Sequence, residues 1–91
     1  MQPDTKKTVS TRLSRIEGQV RGIARMVEED RYCIDLLTQL SAVRAALAKV
    51  EEEVLRDHVQ HCVSHAMSGG SAAEKQQKVD ELVAAIGKLA R

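Results

Sequence analysis

The stretch RYCIDLLTQLSAVRAALAKVEEEVLRDHVQHCVSHAM, residues 31–67, decides the fold. It holds neither proline nor glycine, so nothing in it breaks a helix. Its apolar residues Leu36, Leu40, Val43, Leu47, Val50 and Val54 recur in steps of three and four, the spacing of one helical face. The pattern predicts one helix from about residue 31 to 67, with Asp30 as its N-cap. At ~1.5 Å per residue it would be on the order of 50 Å long. A helix of that length in a small protein must pack along most of it. Ala42, Ala45, Ala46 and Ala48 cluster near its middle, where another helix could cross closely.

On the N-terminal side, Val9, Leu13, Ile16, Val20, Ile23 and Val27 give a second helical stripe, predicting a helix over about 6–29. Gly18 and Gly22 cost that helix roughly 1 kcal/mol each relative to alanine, and suggest close helix packing. On the C-terminal side, Ser68 to Ala73 reads as a flexible loop. A third helix follows over about 73–90, with Val79, Leu82, Val83, Ile86 and Leu89 as its apolar set. The one proline is Pro3 and strand patterns are missing, so the fold class is all-α, in a single domain over 1–91. With 91 residues, one aromatic and a core of Ala, Val, Leu and Ile, a lone monomer would be marginal, so an oligomer is expected. No apolar run approaches ~18 residues and the N-terminus lacks a signal-peptide core. The expectation is a cytoplasmic protein without a membrane span, whose two cysteines are ligands or reactive thiols rather than a bridge.

The long helix carries the chemistry. Cys33 lies three residues before Leu36; His58 lies four after Val54, and Cys62 four after that. The apolar seam thus ends in a thiol on one side and a His/Cys pair on the other. His58 and Cys62, at i and i+4, can chelate one ion from one face. Cys33 is 25 residues from His58, roughly 37 Å on a straight helix, so the three cannot meet within one chain. They can meet between two antiparallel copies crossing near Ala46 and Leu47, where the alanines are. Two equivalent sites result, each taking Cys33 from one protomer and His58 with Cys62 from the other. Two thiolates and an imidazole suit Cu(I); Zn(II) would want a fourth ligand, for which His61 and His65 are near in sequence. The blander alternative is a buried Cys33 acting as a small hydrophobe and a solvated His/Cys helix end. Tyr32 is either a core aromatic or a contact of the site.

A nucleic-acid signal is also present, though less specific. Residues 1–25 hold six basic side chains against two acidic ones. Arg12 and Arg15 share a face with Gln19, and Arg21 extends the basic stretch. Such a face could neutralise phosphates, or simply be solvated. No helix-turn-helix, zinc-finger or RNP motif is present, and no constellation of an enzyme stands out.

The segments RLSRIEGQVRG (12–22), DRYC (30–33), QLSAV (39–43) and DHVQHC (57–62) together resemble the CsoR/RcnR family of bacterial repressors, over nearly the whole chain. The Cys33, His58, Cys62 pattern is similar to its copper-sensing branch. The resemblance implies a homodimer around an antiparallel helix pair, assembled into a dimer-of-dimers tetramer. It implies an apo form bound to operator DNA, and release when Cu(I) is held by Cys, His and Cys across the subunit interface, so that copper efflux genes are derepressed. Tyr32 and Glu81 match positions that couple metal to the switch; His61, read from its place in the sequence alone, is exposed or beside the ligands rather than one of them. Arg12 and Lys49 match basic positions implicated in DNA contact; Arg15 and Arg21 come from the basic-face argument. Branches that sense nickel, persulfide or aldehyde remain alternatives: some nickel sensors share the Cys-His-Cys pattern, whereas persulfide sensors lack the histidine. A copper-buffering protein without a DNA role is the competing class.

Overall fold

The computed structural model describes residues 1–89, the side chains of Cys62, Val63, Ala66 and Leu89 excepted. Four helices follow in order: α1 (Pro3–Glu28), α2 (Cys33–Asp57), α3 (Ser64–Gly69) and α4 (Ala72–Leu89). A π-helical segment, His58–Val63, joins α2 to α3. No strand occurs among the described residues, in agreement with the all-α expectation.

The boundaries differ from the expected ones for identifiable reasons. α1 begins at Pro3 rather than residue 6, because proline suits the first helical position and Asp4 complements the helix dipole there. Asp30 is not the N-cap of α2. It terminates α1 instead, with φ at 53°. The Arg31 amide donates to the Met26 carbonyl and the Asp30 amide to the Val27 carbonyl. That pair of bonds is the Schellman arrangement, which needs a left-handed residue just past the helix. Tyr32 takes the N-cap position of α2, without a side-chain cap bond. The expected loop of residues 68–73 shrinks to Gly70 and Ser71. Ser71 Oγ accepts from the Glu74 amide at 3.2 Å, capping α4, so helix starts at Ala72 rather than residue 73. Ala90, the expected last helical residue, lies outside the described residues.

α1 and α2 form an antiparallel hairpin. Its core is Val9 and Ile16 of α1 against Val43 and Val50 of α2, with Ile23 and Ala46 packed beside them. Each helix contributes at a spacing of seven, as in a coiled-coil seam. The predicted stripes therefore split in two. Leu13, Val20 and Val27 of α1, and Leu40, Leu47 and Val54 of α2, stay exposed in the single chain. Gly18 and Gly22 have no atom of another element near their Cα hydrogens' side, so their close-packing role is not met within the hairpin.

The chain is long and flat, 58 × 27 × 14 Å, with a radius of gyration of 17.8 Å. A compact domain of this length would have a radius near ~12 Å. Its accessible surface is 6960 Å², against about 5,200 Å² for a compact monomer of its mass. The excess area includes the two exposed apolar stripes.

Candidate metal centre and basic face

Cys33 is the first residue of α2, exposed and with a free thiol. It is not a core hydrophobe in this chain. It heads the exposed line Leu40, Leu47, Val54 at a spacing of seven. His58 opens the π segment and is half-buried, beside a 510 Å³ groove that Val50 and Val54 share with Ala85 and Lys88 of α4. Cys62 lies in the same segment; its side chain is outside the described residues. Tyr32 is exposed at the head of α2 and His61 is exposed in the π segment. Glu81 is exposed on α4, its Oε2 3.3 Å from Lys78 Nζ, and its described contacts do not include His58. Among the described residues, no group of three His, Cys, Asp or Glu side chains converges on one point. Cys33 and His58 are separated by the length of α2. The donor types nonetheless fit a soft cation: a free thiol at one end of the rod and an imidazole at the other.

The π segment changes the geometry assumed for a plain helix. An α-turn closes in 3.6 residues, so i+4 overshoots a full turn; a π-turn bonds i to i+5, so i+4 falls short of one. The backbone between His58 and Cys62 therefore turns differently from that of a plain helix. His65, expected on the seam side, is exposed on α3, where its carbonyl accepts from Ser68 Oγ. Such π insertions recur at functional sites.

Asp57, immediately before His58, escaped the sequence reading. It is the buried charged residue among those described. Its Oδ1 accepts from the Gln2 amide at 3.0 Å, and the Met1 amino nitrogen lies 4.0 Å from Oδ2. The Gln2 bond is the largest influence holding the carboxyl below its ordinary value of 3.8; burial opposes it, while Thr5, the amino-terminal charge and His61 assist. A signal was available: Asp57 continues the line Leu36, Val43, Val50 at a spacing of seven, an acid where the pattern calls for an apolar residue.

The basic residues are only partly free. Arg12 Nε lies 2.9 Å from Glu53 Oε1 in a half-buried pair across α1 and α2. Arg21 faces Glu17 at 3.9 Å and Lys49 faces Glu52 at 3.8 Å, both on exposed surface. Arg15 has no ion-pair partner among the described residues and lines a small hollow with Lys7, Thr8, Thr11 and Arg12. Lys49 lies one turn before Glu53 on α2, so the Arg12–Glu53 pair brings Arg12 and Lys49 to one side of the hairpin. No helix among the described residues is long and apolar enough to cross a membrane.

Residues 5–88 match the family model described as metal-sensitive transcriptional repressor. The chain is 53% identical over 87 residues to the copper-sensing transcriptional repressor RicR of Mycobacterium tuberculosis, covering 94% of this chain and 88% of that one. It is 46% identical over 86 residues to the copper-sensing transcriptional repressor CsoR of Bacillus subtilis, covering 94% and 82%. Among solved structures, the copper-sensing repressor CsoR with Cu(I) from Geobacillus thermodenitrificans superposes with a TM-score of 0.89 at 41% identity, covering 100% of this chain and 92% of that one. The nickel-responsive transcriptional regulator InrS superposes with a TM-score of 0.76 at 37% identity, covering 91% and 90%. The chain belongs to the family of metal-sensitive transcriptional repressors. Its relatives are named as repressors rather than enzymes.

Proposed function

We propose that this chain is a copper(I)-responsive transcriptional repressor of the cytoplasm, acting as a homo-oligomer on operator DNA, with all of its residues in one domain. The observation that carries the reading is the placement of the donors. Cys33 and His58 stand at opposite ends of α2, with the exposed line Leu40, Leu47, Val54 between them. A second copy laid antiparallel on that line buries it and brings Cys33 of one protomer to His58 and Cys62 of the other. A tetramer of two such dimers is the assembly we infer from the family. Bound there, Cu(I) supplies a soft cation for two thiolates and one imidazole nitrogen. His58 ties that ligand set to the turn in front of it, where Asp57 holds the start of α1. Tyr32, Glu81 and His61 surround the ligands in the assembly, Glu81 exchanging Lys78 for that role. Arg12, Arg15, Arg21 and Lys49 supply cations to the DNA backbone, and metal-driven changes in their placement lower DNA affinity. Coupling of about 1–3 kcal/mol would change that affinity 5–150-fold.

An anaerobic titration of reduced protein with Cu(I) against a competing chelator tests this, with Ni(II) and Zn(II) alongside. The expected result is tight binding of about one Cu(I) per protomer, abolished in Cys33→Ala and in Cys62→Ala. His58→Ala should retain measurable Cu(I) affinity through the thiolates, yet fail to release DNA. Tight nickel with weak copper would move the chain to the nickel branch, which the likeness to InrS keeps in view. No tight metal would leave thiol chemistry as the signal and overturn the proposal. Steep loss of DNA affinity with salt, and in Arg12→Ala, separates a repressor from a copper buffer.

A further inference from the structure

Two acids one turn apart at the end of α2 meet α1 at different points, Glu53 at Arg12 and Asp57 at Gln2. Glu53 faces Arg12 directly, with Oε1 2.9 Å from Nε. Asp57 follows four residues later and accepts the Gln2 amide, fixing the first turn of α1 to the last turn of α2. The two contacts clasp the N-terminal part of α1 to the turn that leads into His58. The Arg12–Glu53 contact is close but poorly aligned. Neither Arg12 Nε nor Glu53 Oε2 makes a hydrogen bond among the described residues, although both atoms are buried. Glu53 therefore relies on the charge of Arg12, and losing it would strand a partly buried carboxylate.

We propose that Glu53 is a positioning residue that competes with DNA phosphate for the Arg12 guanidinium. The inference rests on the reading of Arg12 as a phosphate contact. A guanidinium drawn towards a phosphate leaves Glu53 without its counter-charge, so DNA affinity is lowered by the cost of that separation. Glu53 lies five positions before His58, and Asp57 adjoins His58. Ordering of His58 in a ligand set steadies the same turn, keeps Glu53 on Arg12 and disfavours DNA. Sequence patterning leaves this pair invisible, because Arg12 and Glu53 are distant in the chain and meet only through the hairpin.

The test is a double-mutant cycle with Glu53→Gln, Arg12→Ala and the double variant. Affinity is read by fluorescence anisotropy on a labelled duplex selected from a random pool by the wild-type protein. Measured without metal, Glu53→Gln should bind that duplex about two- to fivefold more tightly, the range of a weak to moderate ion pair. The gain should vanish in the Arg12→Ala background. With Cu(I) added, Glu53→Gln should lose part of the drop in DNA affinity while its Cu(I) affinity in the chelator competition stays at the wild-type value. A purely structural role for Glu53 would move the thermal melt and leave the cycle additive. Unchanged or weakened DNA affinity in Glu53→Gln, or an equal gain without Arg12, overturns the proposal. If Arg12→Ala alone leaves DNA binding intact, the DNA-face reading itself fails, a signature distinct from additivity. If Glu53→Gln does not fold, Glu53→Asp carries the same cycle: it keeps the charge, shortens the reach, and should show a smaller gain.

Discussion

At the scale of single residues, Asp57 is the most consequential side chain that composition and spacing leave unmarked. It is a carboxylate on a line of core positions, and it is kept ionised by the Gln2 amide that reaches it from 55 residues away. Its carboxyl is held below the ordinary 3.8. A depressed carboxyl stabilises the folded state fully above its unfolded value, and that stability is lost as pH falls through the folded value. Acid unfolding followed by circular dichroism should therefore show a loss of stability below pH 3.8 that is shallower in Asp57→Asn. An identical acid limb in the two proteins would mean that the Gln2 contact does not survive in solution. Cys33 was legible for a simpler reason: a thiol at the end of an apolar seam in a chain with few cysteines draws the eye. Arg12 was legible as a basic residue, whereas its engagement by Glu53 was not, because ion pairing across helices leaves no periodic trace.

At the scale of elements, periodicity located the helices and local chemistry set their ends. The steps of three and four in residues 36–54 are enough for α2, because apolar side chains on one face need burial. The ends depend on which residue satisfies the last backbone groups. Asp30 illustrates the difficulty. An aspartate between two helices suits an N-cap or a left-handed C-terminal position, and the four-residue link selects the latter. Left-handed backbone costs non-glycine residues roughly 1–2 kcal/mol, somewhat less for aspartate. Asp30→Gly should then raise stability by about 0.5–1 kcal/mol, or a few degrees in the thermal midpoint. A lower midpoint in that variant would show that the Asp30 side chain itself contributes at the link. The Ser71-Ala-Ala-Glu74 start of α4 was readable as a capping sequence, and its omission made the loop too long. The π segment was not readable, since no residue type in His58–Val63 demands an extra residue per turn.

At the scale of the molecule, one chain makes a two-helix slab with a thin core and leaves half of its apolar stripe in solvent. Leu47 lies at the centre of the α2 line and is 40% exposed. Burying a leucine contributes about 2 kcal/mol, and a carboxylate in its place has no partner. On the proposed assembly, Leu47→Asp should shift sedimentation from the oligomer towards the monomer and lower the thermal midpoint, more steeply at low protein concentration. Wild-type mass in sedimentation would place the contact between copies on another face. On the proposed shared site, metal binding should fall with the oligomer, because Cys33 and His58 of one chain lie at opposite ends of α2.

The sequence by itself determined the all-helical class, the apolar stripes, and the separation of Cys33 from His58 and Cys62 along the chain. Each of these follows from periodicity or from fixed rise per residue, which need no knowledge of what packs where. Only the tertiary structure decided which half of each stripe is covered. It also decided that Asp57 is buried against Gln2, that Arg12 meets Glu53, and that the backbone widens at His58. Those features arise between segments far apart in the chain, or from backbone hydrogen bonds that shift by one residue at little cost. Neither leaves a signature in residue spacing.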